Sequence, residues 1–76
     1  MTGVDFLRGA GDGIRVVIRY RLHGGAESAT DAVGYVSGRN DTHIVVATVR
    51  GLTTIAFDDV ILAKEVPPPP APRRQA

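Results

Sequence analysis

Residues 8–13 read Arg8-Gly9-Ala10-Gly11-Asp12-Gly13, an R-x-x-G-x-G pattern. Such a loop binds the pyrophosphate of a coenzyme when its backbone N–H groups lie at a helix start and face the phosphates. That chemistry needs a strand before the glycines and a helix after them. Only seven residues precede the motif, and the segment after it alternates like a strand. Residues 1–12 are therefore expected to form a flexible, Gly-rich lead-in, and no cofactor and no metal is assigned to this chain. His23 and His43, with Ser28, Ser37, Asp31 and Asp41, are the residues from which a hydrolytic site could be assembled. All fall near strand ends and turns, where backbone reasons alone favour such residues. A nucleophile needs a base and an orienting group in a water-excluding cleft, and a small barrel filled by its own side chains offers none. The chain alone is not expected to be an enzyme.

Two other arrangements point to binding. Arg15, Arg19 and Arg21 project from one face of a strand, and Arg39 and Arg50 lie in neighbouring turns, a stripe able to contact phosphates. An ordinary solvated strand face is the favoured reading of that stripe, and stacking of single-stranded bases has few aromatics to use. Pro69, Pro72 and Arg74 spell P-x-x-P-x-R, a ligand pattern for domains that read polyproline helices. A linker that ends in arginines is the favoured reading. With Phe6, Tyr20, Tyr35 and Phe57 as its aromatics and no Trp, the barrel is expected to be a poor receptor for its own prolines.

The elements that must position these residues follow from hydrophobic periodicity. Residues 14–22 alternate Ile14, Val16, Ile18, Tyr20 and Leu22 with Arg15, Arg19 and Arg21, a period of two that predicts a strand. Gly24-Gly25 predicts a loop. Residues 30–37 resume with Ala32, Gly34 and Val36 on one face, and Gly34 predicts a bulge or bend. Residues 38–41 read as a turn, residues 42–50 as a β-branched strand with Ile44, Val46 and Thr48 inward, and Gly51 as a tight hairpin. Strands over 53–57 and 60–66, separated by Asp58-Asp59, complete the set. Five short strands in this order predict an all-β, five-stranded SH3-like barrel over residues 13–66. No helical period is visible. The outward set holds an anomaly: Val17, Val33, Tyr35, Val45, Ala47 and Val49 stand where a solvated sheet should be polar. The Phe6-Leu7 segment is expected to cover part of this face. The rest, with Val17, Val33, Tyr35, Val45 and Val49 as contact residues, forms a candidate docking surface for protein.

Composition bounds the rest. The chain has 76 residues, enough for one small domain. Without cysteine, and with two histidines, neither disulfides nor a structural zinc staples the core. Arg73 and Arg74 lie beyond the prolines, leaving seven basic and eight acidic residues up to Val66. That near-neutral balance argues against binding driven by phosphate neutralisation. No apolar run approaches the roughly 20 residues of a membrane span and no signal peptide starts the chain, so a cytoplasmic protein without membrane contact is expected. Residues 67–76 are expected to be a disordered, proline-rich linker to a domain outside this chain.

The ordered set of Gly13 to Leu22, then Ala29-Thr30-Asp31-Ala32-Val33-Gly34, then Asp58-Asp59-Val60-Ile61-Leu62-Ala63-Lys64 and a Val-Pro-Pro resembles the N-terminal SH3-like domain of actinobacterial GNAT-type, histone acetyltransferase-like N-acetyltransferases. The likeness covers roughly residues 13–68. It implies an accessory module whose acetyltransferase domain, together with its acetyl-coenzyme A, lies beyond the proline spacer. The module would dock on that domain or present a protein substrate to it. Phe57 stands where that family usually has a polar residue, and the departure predicts extra packing. The alternative is a nucleic-acid-associated barrel of KOW type, using Arg15, Arg19 and Arg21 on phosphate.

Overall fold

The computed structural model describes residues 3–24 and 28–69. The five strands expected from the alternation are present: β1 (Arg15–Arg21), β2 (Ala29–Arg39), β3 (His43–Thr48), β4 (Gly51–Ala56) and β5 (Val60–Glu65). They form one antiparallel sheet in the order β4-β3-β2-β1-β5, which leaves β4 and β5 at its edges. A 3₁₀ turn, Phe57–Asp59, stands where Asp58-Asp59 predicts a turn. The interior is wholly apolar: Val16, Ile18, Ala32, Val36, Ile44, Val46, Ile55 and Phe57 cluster with Leu7 and Ala10, and no polar side chain is buried among the described residues. Phe57 is thus a core residue, with the Arg8 guanidinium 4.6 Å above its ring.

Residues 1–12 depart from the expected flexible lead-in, because Gly3–Gly9 form a helix, α1. Its cause is packing. Leu7 is fully buried against the inward residues of the sheet, and Val4 and Phe6 pack beside it. Gly3 approaches β5 so closely that an added Cβ would lie 2.9 Å from the Ala63 nitrogen. The Phe6-Leu7 segment consequently closes the core and does not cover the outer apolar face. Arg39 holds the far end of the helix, donating to the Arg8 carbonyl at 3.2 Å and to the Ala10 carbonyl. A guanidinium there satisfies terminal carbonyls and opposes the negative end of the helix dipole.

Gly34 is not a bulge. It pairs in register with both Val16 and Thr48, and the irregularities fall between Val36 and Gly38 and between Arg19 and Tyr20. Gly34 is required by proximity, since a Cβ there would stand 2.1 Å from the Ala47 oxygen. β2 also runs through Gly38 and Arg39, two residues of the expected turn, because the irregularity after Val36 keeps them paired with Val45 and Ile44. Val49 and Arg50 form the tight hairpin between β3 and β4, with Gly51 at φ +122°, a backbone conformation that favours glycine. The P-x-x-P-x-R match beyond Pro69, and the part of the expected disordered tail from residue 70 onward, fall on residues outside those described, while the Pro67 carbonyl accepts from Arg15.

Candidate functional site

Two-residue alternation in β1, β2 and β3 turns Val16, Ile18, Ala32, Val36, Ile44 and Val46 inward and commits their neighbours to the outer face. On that face Val17 lies opposite Val33, and Tyr35 lies opposite Ala47. Val33 keeps 41% of its surface exposed, Tyr35 40%, and Val49 at the hairpin is fully exposed. Val17 and Ala47 are half-buried between them. Four of the five residues expected to form a docking surface therefore meet in one apolar patch. Val45 does not join it. That side chain lines a separate shallow groove with Arg39, Asn40, His43 and Thr54 near the other end of the β2–β3 hairpin.

The patch contains a groove of about 230 Å³, lined by Arg15, Val33, Tyr35, Ala47, Val49 and Pro69. A second groove, about 410 Å³, shares Val33, Thr48 and Val49 but is edged by Tyr20, Asp31 and Arg50. Sequence reasoning missed four exposed residues, Leu22, Leu52, Ile61 and Leu62. Leu52 pairs with Ala47 and extends the patch onto β4. Counting back by two along β4 from the outward Thr54, next to the inward Ile55, would have found it.

The arginine stripe is in place along the outer side of β1, but its charges are engaged within the chain. The Arg15 guanidinium donates to the Pro67 carbonyl at 2.8 Å, Arg19 pairs with Asp31 at 3.2 Å, and Arg21 reaches the Asp58 carbonyl at 3.5 Å. Arg39, besides holding α1, is 3.5 Å from Asp12. The carboxylates of Asp31 and Asp12 offset the field that Arg19 and Arg39 offer a phosphate, and the carbonyl contacts of Arg15 and Arg21 leave their charge in place.

The hydrolytic candidates are dispersed. His23 pairs with Asp59 at 2.8 Å, and His43 with the Thr42 hydroxyl at 2.7 Å. Neither imidazole bonds to a serine among the described residues, and no group of acidic or histidine side chains there is arranged to hold a metal. The R-x-x-G-x-G loop follows a helix and precedes a strand, the reverse of what pyrophosphate binding needs. Two of its N–H groups are used internally, Ala10 donating to the Leu7 carbonyl at 3.3 Å and Gly13 to the Val36 carbonyl at 2.8 Å.

A family model described as the Rv0428c N-terminal Sm-like domain matches residues 11–64, 54 of the chain's 76 residues. The chain belongs to this family. An Sm-like domain is a small β-barrel-type unit, in keeping with the five-stranded sheet, and the match ends just before the prolines. It begins after α1. No curated protein and no solved structure matches the chain. No helix among the described residues is long and apolar enough to cross a membrane.

Proposed function

We propose that this Sm-like domain is a non-catalytic interaction module of a GNAT-type acetyltransferase, docking through its outer face on the catalytic domain or presenting a substrate to it. The observation that carries the docking half is the contiguous exposed patch of Val33, Tyr35 and Val49 on a domain whose interior is already filled. Stability does not require apolar side chains at such exposed positions, whereas a partner does. The acetyltransferase half is supported by the ordered residue likeness over 13–68 and by the prolines at 67–70. In this reading acetyl-coenzyme A is bound by the downstream domain.

The test is a titration of the isotope-labelled Sm-like domain with the separately produced acetyltransferase domain, followed by amide shifts. Shifts concentrated at Val33, Tyr35 and Val49, and abolished by combining Tyr35→Ser with Val49→Thr, are expected. Shifts at none of these residues would sink the reading. Binding of nucleic acid by Arg15, Arg19 and Arg21 has less support, because each guanidinium already has an acceptor within the chain.

A further inference from the structure

The strand register arranges the outer face in rows. Arg15, Tyr35, Ala47 and Leu52 stand opposite one another from β1 to β4. Beside them run Lys64, Val17 and Val33, and then Leu62, Arg19 and Asp31. Val49 joins at the hairpin, in the groove that also holds Val33 and Tyr35. Apolar side chains therefore occupy the middle of the face, with Arg15, Lys64 and Arg19 along its β1–β5 side. Arg50 closes the hairpin end, in the second groove with Val33 and Val49. Carboxylates are scarce on this side. The five strands carry two, Asp31 and Glu65, and Glu65 lies opposite the inward Val16. Asp58 and Asp59 stand in the 3₁₀ turn, where Arg21 reaches a carbonyl. Asp31 pairs with Arg19, whereas Lys64 and Arg50 are exposed and pair with no carboxylate among the described residues. A chain with seven basic and eight acidic residues up to Val66 has thus set Arg15, Arg19, Lys64 and Arg50 around one apolar face, against the single strand carboxylate Asp31.

We propose that the outer face recognises a protein segment of complementary make-up, apolar side chains flanked by aspartate or glutamate, and that Arg15, Lys64 and Arg50 select it. The inference rests on the docking reading of this face and not on the acetyltransferase half of that reading. Protein interfaces bury an apolar centre and keep charge at the rim, where it steers encounter and penalises like-charged partners. The outer face has that plan. The contact of Arg15 is to a carbonyl, which leaves its charge in place, and Lys64 and Arg50 have theirs unopposed. The distances suit the role. Neighbouring strands lie about 4.8 Å apart, so a carboxylate set over Val17 is one spacing from Lys64, inside the roughly 8 Å over which charges act at physiological salt. A phosphate backbone would use the rim alone and leave Val33, Tyr35 and Val49 uncovered. A lysine-rich segment would cover them but meet like charge on the β1–β5 side.

The probes are two amphipathic helical peptides with Leu and Phe along one face, flanked by Glu in one and by Lys in the other. Each is titrated into the isotope-labelled 76-residue chain and followed by amide shifts. The Glu-flanked peptide is expected to shift Val17, Val33, Tyr35 and Val49 and to bind at least about tenfold more tightly than the Lys-flanked one. Combining Lys64→Glu with Arg50→Glu should abolish or invert that preference. Raising the salt should shrink it in the unsubstituted chain, a readout that stands should the double variant fail to fold. Equal affinity for the two peptides, or binding of neither, would overturn the charge selection. Patch shifts caused by the acetyltransferase domain would then still uphold docking by itself, so the two failures are distinct. Duplex DNA that binds more tightly than the Glu-flanked peptide, with shifts confined to Arg15, Arg19 and Arg21, would overturn the inference in favour of nucleic acid.

Discussion

Ile44 has no exposed surface while Tyr35 keeps 40% of its own, so truncation should separate them. Tyr35→Ser and Val49→Thr should each shift stability by within about 0.5 kcal/mol, as surface changes do. Ile44→Ala or Ile18→Ala should cost about 2–5 kcal/mol, a large share of what so small a core supplies. Urea melts at fixed pH decide this, and an equal loss at Tyr35 and Ile44 would make the outer patch part of the core. Gly34 is the most sharply constrained position. Gly34→Ala should destabilise by about 1–3 kcal/mol or more, because the new methyl meets the backbone of Ala47 and not a side chain that could swing aside. The sequence marks Gly34 as special but not why, since a bulge and a close backbone approach leave the same glycine in a strand.

The strands were legible because each alternation is long enough to count, as in β1, where Val16 and Ile18 are buried between half-buried or exposed neighbours. The helix was not. Val4, Leu7 and Ala10 do have helical spacing, but seven residues flanked by glycines are too short to display a period. A helix of that length is unstable alone and exists through Leu7 and the Arg39 contacts. Arg39→Ala should therefore remove amide-exchange protection from residues 4–9 while leaving that of β1 and β3 largely intact. Retained protection in the helix would show that Leu7 alone suffices. The docking candidates were readable as a set because outward alternation defines them. Val45 was misplaced since alternation gives the face of a residue and not its distance along the strand.

At the scale of the whole molecule, seven basic residues against eight acidic ones up to Val66 leave no broad field for a polyanion. Binding to duplex DNA should be weak and should fall with salt less steeply than about −0.9 per phosphate for three contacts. A steep slope abolished by replacing Arg15, Arg19 and Arg21 together would favour the nucleic-acid reading. The reversed order of helix and glycine loop leads to a second expectation, that calorimetry finds no saturable binding of acetyl-coenzyme A to this chain. Binding lost in Gly11→Val would reinstate the R-x-x-G-x-G loop.

The fastening of α1 by Arg39 spans 31 residues of sequence, and this imposes an order of events. The helix, synthesised before the sheet, cannot become fixed until β2 has formed to its last residue and the sheet offers Leu7 a surface. Helix contacts should then be absent from the folding transition state. Leu7→Ala is expected to raise the unfolding limb of a chevron plot and leave the refolding limb nearly unmoved, so that α1 acts as a latch on the lifetime of the folded domain. A slowed refolding limb would instead place the helix in the nucleus.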